Sequence, residues 1–138
     1  MSDFSTYTAQ QVVDWMSQGT VATPPTNLYV ALFDDTNTEV SGDFANDRPA
    51  TTTGADWTET GTNDTDFENT SAIEFGEATV DVTNIQDVAL FDDTLANGGN
   101  EIARYTLDDA DVPFDVSTGS TFSFNAGDLS FDVVDRTE

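Results

Sequence analysis

An antiparallel all-β sandwich, jelly-roll-like and fronted by one N-terminal α-helix, is the fold this sequence predicts. Three observations point to it. Short apolar alternations crowd the C-terminal half, each bounded by Gly, Asn or Asp. Helical spacing occurs in one stretch only, near the N-terminus. A hydrophobic fraction of 37%, with ten Phe, supplies a core for a chain of 138 residues, read as a single domain over 1–138.

The helix is expected over about 8–18. Thr8 stands three residues before Gln11, the spacing of a capping box. Val12, Val13, Trp15 and Met16 then form an apolar face, and Gly19 suits a C-terminal stop. This reads as a helix covering the end of a sheet, in preference to a partner-binding helix. Thr23-Pro24-Pro25-Thr26 breaks it and holds an extended entry into the strand NLYVALF. A long polar region follows over about 36–70, rich in Thr, Asn, Asp and Gly, with room for short strands, and is expected to be mostly loop. From Ser71 onward SAIEF, ATVDV, IQDVALF, EIARYTL, TFSFN and LSFDVV each read as a strand. In LSFDV the residues Leu129, Phe131 and Val133 share one face, with Ser130 and Asp132 opposite, as a half-buried antiparallel strand requires. Gly98-Gly99 and Gly127-Asp128 supply turn backbone between strands.

One hexapeptide occurs twice. Ala31-Leu32-Phe33-Asp34-Asp35-Thr36 returns as Ala89-Leu90-Phe91-Asp92-Asp93-Thr94, each copy after a valine. Val-Ala-Leu-Phe is strand material. Asp-Asp-Thr suits an exit, because Asp side chains bond nearby backbone amides. The flanks differ, so the pair reads as two inner strands leaving the sheet by the same chemistry.

Twenty-seven acids face three arginines, and Lys, His and Cys are absent, for a net charge of -24. No basic patch exists to displace phosphate counterions, so nucleic acid is not an expected partner. No run of eighteen apolar residues exists, so membrane insertion is not expected. The N-terminus lacks the basic-then-apolar pattern of a secretory signal. Self-repulsion of this size destabilises a compact state in dilute buffer, whereas molar salt shortens the Debye length to about 3 Å. Many Asp, no Lys and abundant Thr resemble proteins of extreme halophiles, particularly haloarchaea and their viruses. Charge-driven disorder is the competing reading, opposed by the ordered apolar patterns; an ordinary acidic, calcium-binding domain is another.

Without His or Cys there is no Ser-His-Asp or Cys-His constellation and no His-ligated zinc. Carboxylate pairs of the kind used in glycoside hydrolysis arise by chance in so acidic a chain. No phosphate-binding Gly loop is present. An enzyme is therefore not expected. Asp34, Asp35, Asp92 and Asp93 are the candidate metal ligands, should the two hexapeptides converge, for a hard cation such as Ca, Mg or Na; no cofactor is required. The competing reading is solvated turns. Trp57, with Phe67 and Tyr29, is the candidate glycan contact, against ordinary aromatic packing. Asn63 and Asn69 head formal glycosylation sequons. Arg48, Arg104 and Arg136 are candidate oligomer contacts, with an internal ion pair the simpler role for Arg104.

The stretch IEFGEATVDVTNIQDVALFDDTLANGGNEIARYTLDD, with FDVSTGSTFSFNAGDLSFDVV, resembles small tail-fibre-like or minor structural proteins of tailed viruses. Phe75, Ala89 to Asp92, Gly98-Gly99-Asn100, Tyr105, Leu107 and Ala126 to Leu129 carry the likeness, and LYVALFDD is similar to the family's first strand. The resemblance implies an architectural protein on the virion surface. The expectation is a capsid-surface decoration or turret protein of a halophile's virus, forming a symmetric trimer or pentamer beside the major capsid protein. A tail or tail-fibre component aiding attachment is the alternative. A calcium-dependent carbohydrate-binding β-sandwich, engaging a host-surface glycan, is a third reading from another class.

Overall fold

The computed structural model describes residues 3–61, 65–107 and 112–133. A two-residue strand β1 (Asp3–Phe4) leads into α1 (Thr6–Gln18), the one α-helix among the described residues. The strands that follow are β2 (Asn27–Asp34), β3 (Ala50–Thr52), β4 (Trp57–Thr60), β5 (Asp66–Asn69), β6 (Ile73–Glu77) and β7 (Val82–Phe91). The last four are β8 (Glu101–Thr106), β9 (Phe114–Val116), β10 (Thr121–Phe124) and β11 (Ser130–Asp132). A short 3₁₀ turn occupies Ser41–Asp43.

Every pairing is antiparallel. The large sheet runs β1-β8-β7-β2-β3, with β9 on the part of β7 that β8 leaves open. Facing it, the second layer is divided into a pair, β10-β6, and a triplet, β11-β5-β4. The main core fills the space between. Val30, Leu32, Val88 and Leu90 come from the large sheet, Ile73, Phe75 and Phe124 from the pair, and Leu129 and Phe131 from the last hairpin. Aromatic contacts bridge the layers: Tyr105 meets Phe131 edge-on with ring centroids 4.9 Å apart, and Phe114 meets Phe122 at 5.5 Å. The expected all-β sandwich-like fold with one helix is thus the fold observed.

Two local expectations are corrected, and a third is filled in. The helix is capped by Ser5, whose hydroxyl accepts from the Thr8 amide at 3.1 Å; the Thr8 hydroxyl instead donates to the Ile102 carbonyl at 2.8 Å. ATVDV is not a separate strand. Asp81 Oδ1 accepts from the amide and hydroxyl of Thr118, both at 2.8 Å, and the chain bends there, so that Val82 opens β7. The polar region holds three strands, β3, β4 and β5, whose alternation is carried by few apolar side chains and so is faint in sequence. Gly19 ends the helix as expected, with φ of 68°.

The helix is mounted in an unexpected orientation. Its half-buried positions are Tyr7, Thr8, Gln11 and Asp14, while Ala9, Val12, Val13, Trp15 and Met16 are exposed. None of its residues is buried. It does not cover the sheet with its apolar face.

Candidate functional site

The two hexapeptides lie side by side at the centre of the large sheet. Because β2 and β7 run antiparallel, Ala31 faces Ala89, Val30 faces Leu90, and Leu32 faces Val88. Each copy therefore pairs with the other in a locally two-fold manner. Val and Leu point into the main core, and Ala and Phe point to the opposite face. Both faces of these strands are buried, which explains an unbroken apolar run in place of alternation.

On that opposite face Ala31, Phe33, Ala89 and Phe91 form a second cluster, flanked by Tyr29. The two alanines make a low floor. Phe33 and Phe91 lean over it from opposite ends and stack, with centroids 6.1 Å apart and planes 16° apart. Each ring carries an arginine on its outer surface: the Arg48 guanidinium lies 3.8 Å from the Phe91 centroid, and that of Arg104 lies 3.7 Å from the Phe33 centroid. A guanidinium is suited to this position because its planar, weakly hydrated face packs on a ring while its edge still donates.

Those edges close the two exits. Arg48 grips Glu39 with both prongs, Nε to Oε2 at 2.8 Å and Nη2 to Oε1 at 2.6 Å. Its Nη1 donates to the carbonyls of Asp93 at 3.0 Å and Gly98 at 2.7 Å. Arg104 holds Glu101 Oε1 through Nη2 at 2.5 Å, lies 3.7 Å from Asp87, and donates to Asn37 Oδ1 in the first exit turn. Arg48 is therefore committed inside the chain, with its side chain 4% exposed. Arg104 has the internal ion pairs that were its simpler role. Arg136 lies outside the described residues.

The aspartates serve their own turns. Asp34 Oδ1 accepts from the amides of Thr36 and Thr38, both at 2.9 Å, and the Thr36 hydroxyl at 2.7 Å. The Thr38 amide and then the Thr36 hydroxyl hold its carboxyl below the usual Asp range. Asp92 accepts from the Asn100 amide at 2.6 Å and side chain at 3.1 Å. Asp93 accepts from the Asn97 side chain at 3.1 Å and the Thr94 amide at 2.7 Å, which together lower its pKa. Asp35 is exposed. The four do not converge. Asp34 pairs with Ile85, seven residues from Asp92, so the two exits stand roughly 20 Å apart by strand rise. No group of three or more acidic ligands placed to hold a metal occurs among the described residues.

The remaining candidates are also placed. Trp57 packs edge-on against Phe67 and Phe131 at 5.4 and 6.0 Å, and its indole N–H donates to Thr51 Oγ1 at 2.8 Å. Trp57 and Phe67 line an open groove of about 470 Å³, but their planes meet at 77°, so they form no flat stacking platform, and Tyr29 belongs to the other cluster. Asn69 is 2% exposed. Its Nδ2 donates to the carbonyls of Ser71 at 2.8 Å and Asn125 at 2.9 Å, and its Oδ1 accepts from the Leu129 amide at 3.0 Å. It is a knot tying β5 to the last hairpin and cannot accept a glycan in the folded chain. Asn63 lies outside the described residues.

What sequence reasoning did not favour is the outward orientation of the apolar face of α1. The available signal was charge: one charged residue, Asp14, in a 13-residue helix of so acidic a protein. No curated protein matches the chain. Residues 3–132 match a family model described as Podophage GP4 fiber I protein gp80.

Proposed function

The chain belongs to the family of the podophage GP4 fibre I protein gp80, and on that footing we propose that it is a tail-fibre subunit of a virus whose host lives in concentrated salt. It is a structural fibre component of a phage particle and, as such, associates with other virion proteins. The observation that carries this reading is the extent of the match. It runs through the helix and both layers of strands, so it concerns the whole architecture and no single motif.

The geometry supports the same role. The repeated hexapeptides, both arginines and Asn69 are all engaged in holding strands and turns together. The fibre description favours the tail over a decoration on the head. The halophilic part rests on the charge of -24, which dilute buffer leaves unscreened.

Two measurements test it. Gold-labelled antibody on intact particles should mark the tail; label confined to the capsid shell would return the reading to head decoration. The melting temperature of the purified chain should climb by more than about 10 °C between roughly 0.1 M and molar NaCl. A flat profile would remove the halophilic host.

A further inference from the structure

The loop that leaves β7 carries an Asn-Gly step. Among the asparagines of the sequence, Asn97 alone precedes a glycine, Gly98. Both residues are exposed. The step is labile for a general chemical reason. Glycine has no side chain to keep its backbone nitrogen away from the preceding carboxamide, so that nitrogen can close a five-membered ring on the asparagine Cγ. Nothing in the fold crowds the position: a Cβ at Gly98 would meet nothing within 4 Å.

In the folded chain both reacting groups are held. Asn97 Nδ2 donates to Asp93 Oδ1 at 3.1 Å, and the Gly98 amide donates to the Leu95 carbonyl at 3.1 Å. The Gly98 carbonyl accepts from Arg48 Nη1 at 2.7 Å. Ring closure needs the carboxamide to leave Asp93 and the Gly98 N–H to leave Leu95. Residues 96–100 are exposed, whereas 88–91 of β7 are buried. The loop can therefore open while the sheet beside it stays folded.

We propose that Asn97-Gly98 is a site of spontaneous deamidation, reached when this loop opens. The Gly98 nitrogen gives its proton to water or hydroxide and bonds to Asn97 Cγ. The Cγ–Nδ2 bond breaks, and with a proton returned ammonia leaves. Water then opens the cyclic imide. Attack at one carbonyl gives aspartate at position 97; attack at the other gives an isoaspartyl link, with the main chain running through Cβ and Cγ. Water is the one co-reactant, and no electrons change hands.

Either product bears on the Arg48 lock. A carboxylate at 97 faces Asp93, whose Oδ1 has lost a donor, and like charges in contact repel. The isoaspartyl link adds a carbon to the main chain before Gly98 and draws the Gly98 carbonyl off Arg48. This exit thus loosens irreversibly as the protein ages. The first exit lacks the chemistry, because Asn37 precedes Thr38, whose branched side chain hinders the same closure.

Incubation of the purified full chain in molar NaCl at mildly alkaline pH, followed by mass spectrometry with fragment mapping, tests the proposal. Each event replaces an amide NH2 by OH. The change should map to Asn97, with isoaspartate exceeding aspartate. In the urea-unfolded wild type the same conversion should run roughly tenfold faster or more, because the loop bonds are gone. Native conversion confined to other asparagines, or none at Asn97, overturns the site. Equal native and unfolded rates overturn the restraint by the loop. These comparisons use the wild type alone, so they do not depend on how any variant folds.

Two variants add a check. Asn97→Gln should not convert on the same timescale, since its longer arm closes a less favourable six-membered ring; conversion at the wild-type rate would refute the mechanism. Asn97→Asp should melt below the wild type, and an unchanged melting temperature would refute the loosening of this exit. The inference rests on loop chemistry and not on the fibre reading, so label on the head would leave it standing, and an inert Asn97 would leave the antibody result standing.

Discussion

Arg48 offers the sharpest test of how this sheet is held. Its side chain is 4% exposed, that of Glu39 17%, and the pair is bidentate. Arg48→Met keeps the stem over Phe91 and removes the fork. Glu39 then remains as a largely buried carboxylate, and the carbonyls of Asp93 and Gly98 lose their donor. Breaking one side of a buried pair costs about 3–5 kcal/mol. For a chain of this length, at roughly 4 °C per kcal/mol, the melting temperature should fall by about 12–20 °C. The assay is thermal unfolding followed by circular dichroism in molar NaCl, where the added net charge is screened and only local contacts are read. Arg48→Lys separates charge from geometry. It restores a cation but not the fork, so it should recover only about half of the loss. A double-mutant cycle with Glu39→Gln should give a coupling of about 2 kcal/mol. If Arg48→Met melts within about 3 °C of wild type, or the coupling is below about 0.5 kcal/mol, the clamp is not what secures the second exit.

Four further outcomes follow from the same structure. Ala89→Leu fills the floor between Phe33 and Phe91 and should cost about 1–3 kcal/mol in chemical denaturation, whereas a neutral result would mean the stacked rings are not confined. Asn69→Ala takes the side-chain partner from the Leu129 amide and the Ser71 carbonyl, while the Asn125 carbonyl keeps the Asp128 amide, and should cost about 2 kcal/mol or more by the same assay. Gly99→Ala places a Cβ 2.8 Å from Asp93 Cβ at a φ of +71°, while Gly98→Ala, at +80°, meets nothing within 4 Å; the first should therefore lower the melting temperature clearly more than the second. In acid, Asp34, Asp81 and Asp93 all have lowered pKa values, from the Thr38 amide, the Thr118 amide and the Asn97 side chain first, respectively. A depressed folded pKa gives stability that is complete above the unfolded Asp value near 4 and lost as pH falls through the folded one, so melting in molar salt should hold steady from about pH 7 to 5 and drop below about 4; a drop beginning between pH 7 and 5 would contradict this.

The legible parts of the fold were those with dense local signal. Val-Ala-Leu-Phe announced β2 and β7, and Gly19 announced the helix end. Helical spacing at Val12, Val13 and Met16 located α1 but could not say which way it faces, because periodicity groups side chains without naming what they meet. Strand register decided the fate of the aspartates: the same hexapeptides would bring Asp34 near Asp92 if parallel and separate them when antiparallel, and nothing within either copy chooses. The partners of Arg48 and Arg104 were hidden for another reason. With 27 acids available, the sequence offers each arginine too many candidates, and only the fold selects Glu39 and Glu101. The strands β4 and β5 were obscured because Thr, Asp and Glu occupy most of their positions.

The face-to-face pairing of the two hexapeptides gives the molecule two poles. One ends in the tight Asp34–Thr38 turn, the other in the wider Asp92–Asn100 loop, and each is locked by its own arginine. Distant, separately anchored regions respond to change nearly independently. One tip can therefore be altered in sequence while the other keeps its own arginine lock and its own turn.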